Sequence, residues 1–286
     1  WTDVTPPDMP QEGRVQTIDA SPHSAGKAYF AYYRTLLGDL TPFIYKTEDY
    51  GASWELLTPG DNGIPSHHAT RAVREDTERE GLLYAGTEFG MYLSFDDGQN
   101  WEKFQYNLPR TPITDIKVHQ GDLVLSTMGR AFWIMDNLSP LRQADAAMAD
   151  GGAFLFEPEG AYRLRGGGGF GGFGGGTPDE PQYSRNGAEL DYMLPSAATS
   201  VTVEILDASG DLVRTFESTG PGERTETAQE MRAPFQRRTG SPTPTTHEGL
   251  NRFVWDFAVP GPNGAARGGP MVVPGDFTAR LTVNGT

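Results

Sequence analysis

Two eight-residue stretches decide the fold of this chain: Thr47-Glu-Asp-Tyr-Gly-Ala-Ser-Trp54 and Ser94-Phe-Asp-Asp-Gly-Gln-Asn-Trp101. They share the pattern Ser/Thr-x-Asp-x-Gly-x-x-Trp and begin 47 residues apart. A tight turn needs glycine for positive φ, a hydroxyl and a carboxylate can hydrogen-bond the turn's backbone, and tryptophan packs beneath as a large apolar wedge. The pattern therefore predicts two copies of one structural turn, whose key residues are Thr47, Asp49, Gly51 and Trp54, then Ser94, Asp96, Gly98 and Trp101.

Short apolar runs surround both turns at corresponding positions. Aromatic and β-branched runs alternate with Gly, Pro, Asp and Asn turns, which is typical of an all-β chain. The predicted strands are 14–21, 28–33, 43–46, 69–75, 82–87, 91–95, 113–119, 122–127 and 131–135. Four short strands within about 40–47 residues make one propeller blade. We expect about three blades within residues 1–141, at roughly 12–58, 63–108 and 110–140.

Two further stretches extend the repeat. The run Leu125–Asp136 aligns without a gap with Ala85–Asp96, so Asp136 is assigned to a third copy of the turn that lacks the glycine and the tryptophan. Trp1-Thr-Asp-Val-Thr-Pro-Pro7 resembles Trp54-Glu-Leu-Leu-Thr-Pro-Gly60, so Trp1 is interpreted as the last residue of a preceding turn. Because propellers close with about four to eight blades, we expect the missing blades upstream of this fragment. A partly open, self-contained array is the alternative.

The sequence pattern changes after residue 141. Residues 142–187 are a predicted linker with a glycine-rich loop at 166–176, which lacks the Lys-Ser/Thr of a phosphate-binding loop. Residues 188–286 predict a small β-sandwich, with a long polar loop at 218–247. Its apolar or alternating runs are 188–194, 200–206, 212–217, 251–257 and 276–283. Helical periodicity is weak and limited to 141–148 and 225–238.

Composition excludes several function classes. The 286 residues include no cysteine, which excludes a disulfide framework, a thiolate metal site and a cysteine nucleophile. A formal charge of −15 argues against a nucleic-acid partner or an anionic membrane surface. No apolar run is long enough to predict a membrane span. No cofactor is expected, and no metal site either, since the acidic residues at 96–100 lack the spacing of a calcium loop.

The turn pattern resembles the Asp-box, or BNR repeat, of sialidases, xyloglucanase-type glycoside hydrolases, sortilin-like receptors and photosystem-assembly-factor-like propellers. Residues 112–119 and 123–141 are similar to the closing blade of large secreted bacterial sortilin-like BNR proteins. Segments at 190–195, 203–207, 249–256 and 273–278 resemble an Ig-like module of flagellar-hook-capping type. The resemblance implies a partial Asp-box β-propeller followed by an Ig-like β-sandwich. It also implies a secreted, periplasmic or cell-surface location, with the export signal upstream, because residues 1–25 contain no apolar signal-peptide region.

Candidate ligand-binding residues follow from propeller geometry. Ligands of a propeller usually meet the face formed by the loops between strands two and three and between blades. The repeated turns join strands three and four at the opposite face, so Asp49, Asp96 and Asp136 are interpreted as structural. The possible ligand face carries Arg34, His67, His68, Glu88 and Arg130.

Each candidate also has a structural interpretation. Neighbouring histidines in an extended segment point to opposite sides, so a plain loop pair is favoured over a metal site at His67 and His68. Glu88 is either a general acid, given a second carboxylate from a neighbouring blade, or a solvated turn residue. Arg130 either binds an anion or pairs with an inter-blade acid. Tyr29, Tyr32, Tyr33 and Tyr106 are candidates for a sugar-stacking platform, but core packing is favoured for half of them because strand positions alternate between two faces.

The sequence supports three hypotheses about function. The preferred one is a non-catalytic secreted binding or scaffold protein, whose propeller face holds a protein or glycan partner. The alternative is a glycoside hydrolase of xyloglucanase-like or sialidase-like propeller type, with most catalytic residues upstream of this segment. The third is a purely structural surface or assembly component. No catalytic residue is assigned.

Overall fold

The computed structural model describes residues 1–163, 187–218, 243–261 and 269–286. Within these ranges the chain is all-β apart from three short helical segments, and it divides into two compact units, Trp1–Leu138 and Ser139–Thr286. The glycine-rich loop at 166–176, the weak helical pattern at 225–238 and most of the loop at 218–247 lie outside the described residues.

Three antiparallel sheets follow one another along the first unit, and in each the strands pair in chain order, as in the blades of a β-propeller. Blade 1 contains β1–β4, blade 2 contains β5–β8, and blade 3 contains β9–β11. A 3₁₀ turn (Thr35–Leu37) follows β2. The strands are β1 (Arg14–Ala20), β2 (Ala28–Tyr33), β3 (Phe43–Thr47), β4 (Glu55–Leu56), β5 (Thr70–Glu75), β6 (Leu83–Thr87), β7 (Gly90–Ser94), β8 (Glu102–Phe104), β9 (Ile113–His119), β10 (Asp122–Thr127) and β11 (Phe132–Met135).

The blades pack face to face. Strand β5 lies against β1 and β2, and β9 lies against β5 and β6, so each following blade covers the preceding one. Blade 2 is covered on both faces, and every residue of β6 and β7 is buried. One apolar cluster fills the space between blades 1 and 2; it contains Tyr29, Ala31, Ile44, Leu57, Ile64, Val73, Leu83, Ala85, Tyr92 and Trp101.

The two repeated turns have the same internal hydrogen bonds. In the first, the Thr47 hydroxyl donates to Asp49 Oδ1 at 2.9 Å and accepts the Gly51 N–H at 2.9 Å. The corresponding distances in the second are 2.8 Å from the Ser94 hydroxyl to Asp96 Oδ1 and 2.8 Å from the Gly98 N–H to that hydroxyl. Asp49 also accepts from Ser53, and Asp96 from Asn100. Both aspartates therefore bond the backbone and side chains of their own turn.

Each turn also docks on the chain segment before its blade. The Trp101 indole donates to the Leu57 carbonyl at 3.1 Å, and the Trp54 indole donates to the Val4 carbonyl at 2.7 Å. A Cβ on Gly98 would lie 2.5 Å from Leu57 Cδ1, and a Cβ on Gly51 would lie 2.9 Å from Val4 Cβ. Val4 thus contacts the first turn as Leu57 contacts the second. Val4 follows Trp1 by three residues and Leu57 follows Trp54 by three residues, in agreement with the sequence match between the two tryptophans.

The third copy departs from the gapless alignment. Ala28 pairs with Thr47 in blade 1, Leu83 with Ser94 in blade 2, and Leu123 with Met135 in blade 3. Met135 therefore occupies the position of the turn's hydroxyl residue, and Asn137 that of Asp49 and Asp96. Asp136 lies one residue earlier than the alignment assigned it, because Leu123 and its partner Met135 are one residue further apart along the chain than Leu83 and its partner Ser94.

The described part of the second unit contains two short helices and two three-stranded antiparallel sheets. The sheets have strand orders β12-β13-β16 and β15-β14-β17. A shared apolar core, including Tyr192, Val203, Phe216 and Trp255, joins them as a small β-sandwich. Among the described residues, no helix combines the length and apolarity of a membrane span. The elements are α1 (Ser139–Arg142), α2 (Ala144–Asp150), β12 (Phe154–Leu155), β13 (Ala188–Leu194), β14 (Val201–Asp207), β15 (Leu212–Glu217), β16 (Gly249–Trp255) and β17 (Phe277–Val283).

Candidate functional site

The blades of the first unit present two ends with different chemistry. The turn end carries the repeated turns at 47–54 and 94–101, whose Tyr50 and Asp97 N–H groups donate to the carbonyls of Gly26 and Gly81. The loop end carries the β2–β3, β6–β7 and β10–β11 loops and the chain connections that precede β5 and β9. These two names are used below.

A buried charge cluster lies at the turn end between blades 1 and 2. Asp97 accepts the Tyr29 hydroxyl at 2.5 Å and lies 3.1 Å from both Lys27 Nζ and Lys46 Nζ. Glu75 Oε1 accepts the Tyr29 hydroxyl at 3.2 Å and lies 3.4 Å from Lys27 Nζ. Residues from β2, β3, β5 and the second repeated turn thus meet in one network that joins the two blades.

Burial and hydrogen bonding set the protonation states of this cluster. Burial raises the pKa of Asp97, but hydrogen bonds from Tyr29, Lys46 and Lys27 outweigh it and hold the pKa below its ordinary value. Burial, and then the hydrogen bond to Asp97, raises the pKa of the Tyr29 hydroxyl far above its ordinary value. The carboxylate of Asp97 is therefore ionised and the phenol neutral near neutral pH. This favours a structural role for the network.

The centre of the loop end is a three-residue network across blades 1 and 2. The Tyr33 hydroxyl donates to Glu88 Oε1 at 2.5 Å, and Arg71 Nε lies 2.6 Å from the same oxygen. An Arg71 terminal nitrogen also donates to the Tyr33 hydroxyl at 2.8 Å, and its guanidinium lies 4.6 Å from the centre of the tyrosine ring. The Arg71 and Glu88 side chains are 14% and 13% exposed, so Glu88 is an ion-paired residue rather than a solvated turn residue.

An aromatic and basic group lies beside this network. The His68 and Phe89 ring centres are 4.7 Å apart, and the Arg110 guanidinium lies 4.6 Å from the Phe89 ring centre. The His67 and His68 rings meet edge to face at 4.6 Å, so the expectation that they point to opposite sides is wrong. The cause is a turn, closed by the His68 N–H donating to the Pro65 carbonyl, where extended backbone was assumed.

His68 is buried and is held in one orientation. Its Nδ1 lies 2.9 Å from the Tyr92 hydroxyl. Burial lowers its pKa, and the positive charges of His67, Arg110 and Lys103 lower it further. His68 therefore supports the Phe89 ring as a neutral imidazole, while His67 and Arg110 are exposed at the surface.

The remaining candidates lie at the same end but outside this group. Arg34 pairs with Asp39 at 3.0 Å and donates to the Gln11 carbonyl. Arg130 is exposed in the β10–β11 loop. That loop is hydrogen-bonded to the chain segment before β9, because the Met128 N–H donates to the Pro112 carbonyl at 2.9 Å. The tyrosines do not form one platform, since Tyr106 is exposed while Tyr29, Tyr32 and Tyr33 are buried.

Sequence reasoning missed two central residues of the loop end, Arg71 and Arg110. Regular strand alternation does not reveal the first, because Arg71 is the extra residue at a register shift in β5, between Thr70, which pairs with Thr87, and Ala72, which pairs with Gly86. The turn-end cluster was missed because its members are spread over 71 residues, from Lys27 to Asp97. Within the described ranges, no group of three or more His, Asp or Glu side chains could hold a metal ion.

Comparison with known proteins finds solved structures that resemble this chain only weakly. No protein-family model and no curated protein matches it. It is similar to the GH74 xyloglucanase from Xanthomonas campestris (17% identity, 48% of this chain and 23% of that one, TM-score 0.36). It is also similar to YCF48 bound to D1 peptide, at 17% identity over 43% of this chain and 36% of that one, with a TM-score of 0.32. The Niastella koreensis GH74 enzyme is similar at 12% identity over 73% of this chain and 30% of that one, with a TM-score of 0.33. This chain therefore spans about a third or less of these proteins, and likeness at this level indicates no activity.

Proposed function

We propose that this chain is part of an exported, non-catalytic binding or scaffold protein, and that the loop end of its blades holds an anionic protein or glycan partner. The observation that carries the proposal is the basic and aromatic surface formed by the exposed His67 and Arg110 around the partly buried Phe89, beside the Tyr33–Arg71–Glu88 network. Export is proposed from the resemblance of the repeats to those of secreted proteins.

Charge supports an anionic partner. The chain has a formal charge of −15, yet Arg14, Arg110 and Arg130 are exposed at the loop end. Arg14 lies 6.0 Å from the Tyr33 ring centre, and Arg110 and Lys103 both lower the pKa of His68. The nearby carboxylates Glu88 and Asp39 are each paired with an arginine already. A guanidinium held over an aromatic ring keeps its N–H edge available for a carboxylate or sulfate.

The rigidity of the surface also supports binding. Tyr33 and Glu88 are fixed by two charge-assisted contacts with Arg71, and Phe89 is held by His68, which is itself held by Tyr92. A partner would therefore meet side chains that are already ordered, which lowers the entropy cost of association.

Retention of ligands on an array tests this proposal. The labelled chain is applied to neutral and anionic glycans and to acidic and neutral peptides at low salt. We expect selective retention of anionic probes that weakens with salt and falls about tenfold or more in Arg110→Ala. The matched control is Arg280→Ala, which removes an exposed arginine of the second unit and should retain the same probes. Equal retention by both variants, or none by the parent chain, would contradict the proposal.

A glycoside hydrolase remains the second candidate, because a sialidase-like site would need a tyrosine–glutamate pair and the Tyr33 hydroxyl donates to Glu88 at 2.5 Å. Glycoside hydrolysis usually needs two carboxyl groups about 5–10 Å apart, one of them protonated or nucleophilic. Glu88 instead accepts a hydrogen bond from Tyr33 and is held in an ion pair with Arg71. Turnover of xyloglucan or a sialoside that is lost in Glu88→Gln would establish the enzyme and reject the non-catalytic proposal.

A further inference from the structure

The loop between β2 and β3 holds three leucine side chains in solvent. Within residues 34–42, called the leucine loop below, Leu36, Leu37 and Leu40 are 78%, 52% and 37% exposed. The first turn of the loop is closed by the Leu37 N–H, which donates to the Arg34 carbonyl at 2.8 Å. A hydrogen-bonded loop thus presents large apolar side chains to solvent, and apolar groups that gather on an exposed surface mark a site of interaction.

Both ends of the leucine loop meet the charged network of the loop end. Tyr33, the residue before the loop, donates to Glu88 and lies under the Arg71 guanidinium. Phe43, the residue after the loop, donates its N–H to the Thr70 hydroxyl at 3.1 Å, and Thr70 precedes Arg71 in the chain. The leucines therefore lie beside the surface for which we propose an anionic partner.

Positive charge borders the leucine loop. Arg14 is exposed and pairs with the last residue of β2, next to the start of the loop. Arg110 is exposed and lies over the Phe89 ring. Asp39, the acidic residue of the loop itself, is paired with Arg34 at 3.0 Å. Charge complementarity therefore favours carboxylates in the partner, since an arginine binds a carboxylate through charge-assisted hydrogen bonds.

The aromatic side chains favour a protein over a glycan. Sugar rings stack on exposed aromatic faces, but Tyr32 and Tyr33 are buried and Phe89 is partly buried. Tyr106 is exposed, but it follows the edge strand β8 of blade 2. We propose, on the basis of the proposed function, that the partner is a protein whose contact segment combines carboxylates with large aliphatic side chains. The leucine loop covers the aliphatic side chains, and the arginines bind the carboxylates.

Fluorescence anisotropy with two acidic peptides tests this partner class. One labelled peptide contains glutamates and leucines, and the other contains serine in place of every leucine. The full chain should bind the leucine peptide about tenfold or more tightly, because burial of leucine side chains adds to the charge attraction. The double variant Leu36→Ser/Leu37→Ser should lose this preference and bind the serine peptide within about twofold of the parent chain. Leu212→Ser, which removes a leucine that is 57% exposed in the second unit, is the matched control and should keep the preference. Circular dichroism checks that every variant is folded.

The other outcomes separate this proposal from the proposed function. Equal affinity for the two peptides, with salt-sensitive binding that still depends on Arg110, would overturn the aliphatic contact and leave the proposed function intact. A preference for the leucine peptide that survives in the double variant would overturn the role of the leucine loop. Retention of anionic glycans but of neither peptide, lost in Tyr106→Ala, would overturn the choice of a protein. Binding to phosphatidylserine vesicles but to neither peptide, lost in the double variant, would make the surface a membrane contact and overturn it as well. Binding of no anionic probe would reject the proposed function itself.

Discussion

The two ends of the blades differ in how far their structure repeats from blade to blade and in how exposed their charged side chains are. At the turn end, the hydrogen bonds of residues 47–54 are repeated in residues 94–101, and the Lys27–Glu75–Asp97 cluster is buried between blades. At the loop end, the β2–β3, β6–β7 and β10–β11 loops differ in length and sequence, and Arg110 and His67 face solvent. The turn end stabilises the fold, and the loop end is where we propose that a partner binds.

This difference explains why the strongest sequence signal carries little functional information. Asp49 and Asp96 accept hydrogen bonds from their own turns, so the pattern that predicts them is a pattern of stability. Substitutions at the turn end should therefore reduce stability, and substitutions at the loop end should reduce binding. The predictions below separate the two ends, beginning with the largest effect on stability.

Trp101→Ala should be the most destabilising change, at about 3–5 kcal/mol, because a large buried side chain is lost. Trp101 is 4% exposed and packs in the cluster between blades 1 and 2. Its repeat counterpart Trp54 is only partly buried, so Trp54→Ala should cost less. Urea unfolding of both variants provides the comparison, and equal losses would show that the two turns do not differ in burial as described.

Asp97→Ala should destabilise by about 1–2 kcal/mol, because it removes the carboxylate shared by Lys27, Lys46 and the Tyr29 hydroxyl and leaves Lys27 paired with Glu75 and Lys46 with Glu55. The matched control is Asp115→Ala, which removes an exposed carboxylate from Arg74 and should cost less than about 1 kcal/mol. Urea unfolding at neutral pH measures both. A loss no greater for Asp97→Ala than for the control would remove the structural role assigned to the cluster.

His68 should make a smaller contribution that depends on pH. Its folded-state pKa lies below the ordinary value because of burial, so the unfolded chain binds the proton more readily. The free energy of unfolding should fall as pH is lowered through about 6.5 and level off below the folded-state pKa. His68→Gln should weaken this dependence when unfolding is measured from about pH 8 to pH 5. An unchanged pH profile would indicate that His68 is not the neutral, buried group described.

The sequence predicts the strands more completely than the site. Alternating apolar residues and turn glycines gave β2, β9, β10, β13 and β15 with their observed bounds, because the side-chain period of two is a local property. The meeting of Tyr33, Arg71 and Glu88 depends on how blades 1 and 2 pack, which no local pattern encodes. The third turn was placed one residue early because one extra residue between the paired positions Leu123 and Met135, compared with Leu83 and Ser94, leaves the apolar pattern intact.

The most direct test of the contrast between the two ends measures, for Arg110→Ala and for Asp97→Ala, both the retention of probes on the array and the midpoint of urea unfolding. We expect Arg110→Ala to keep its stability within about 0.5 kcal/mol and to lose the anionic probe. We expect Asp97→Ala to lose stability and to keep the probe under conditions in which it is folded. Loss of the probe in folded Asp97→Ala, with retention in Arg110→Ala, would contradict the assignment of binding to the loop end.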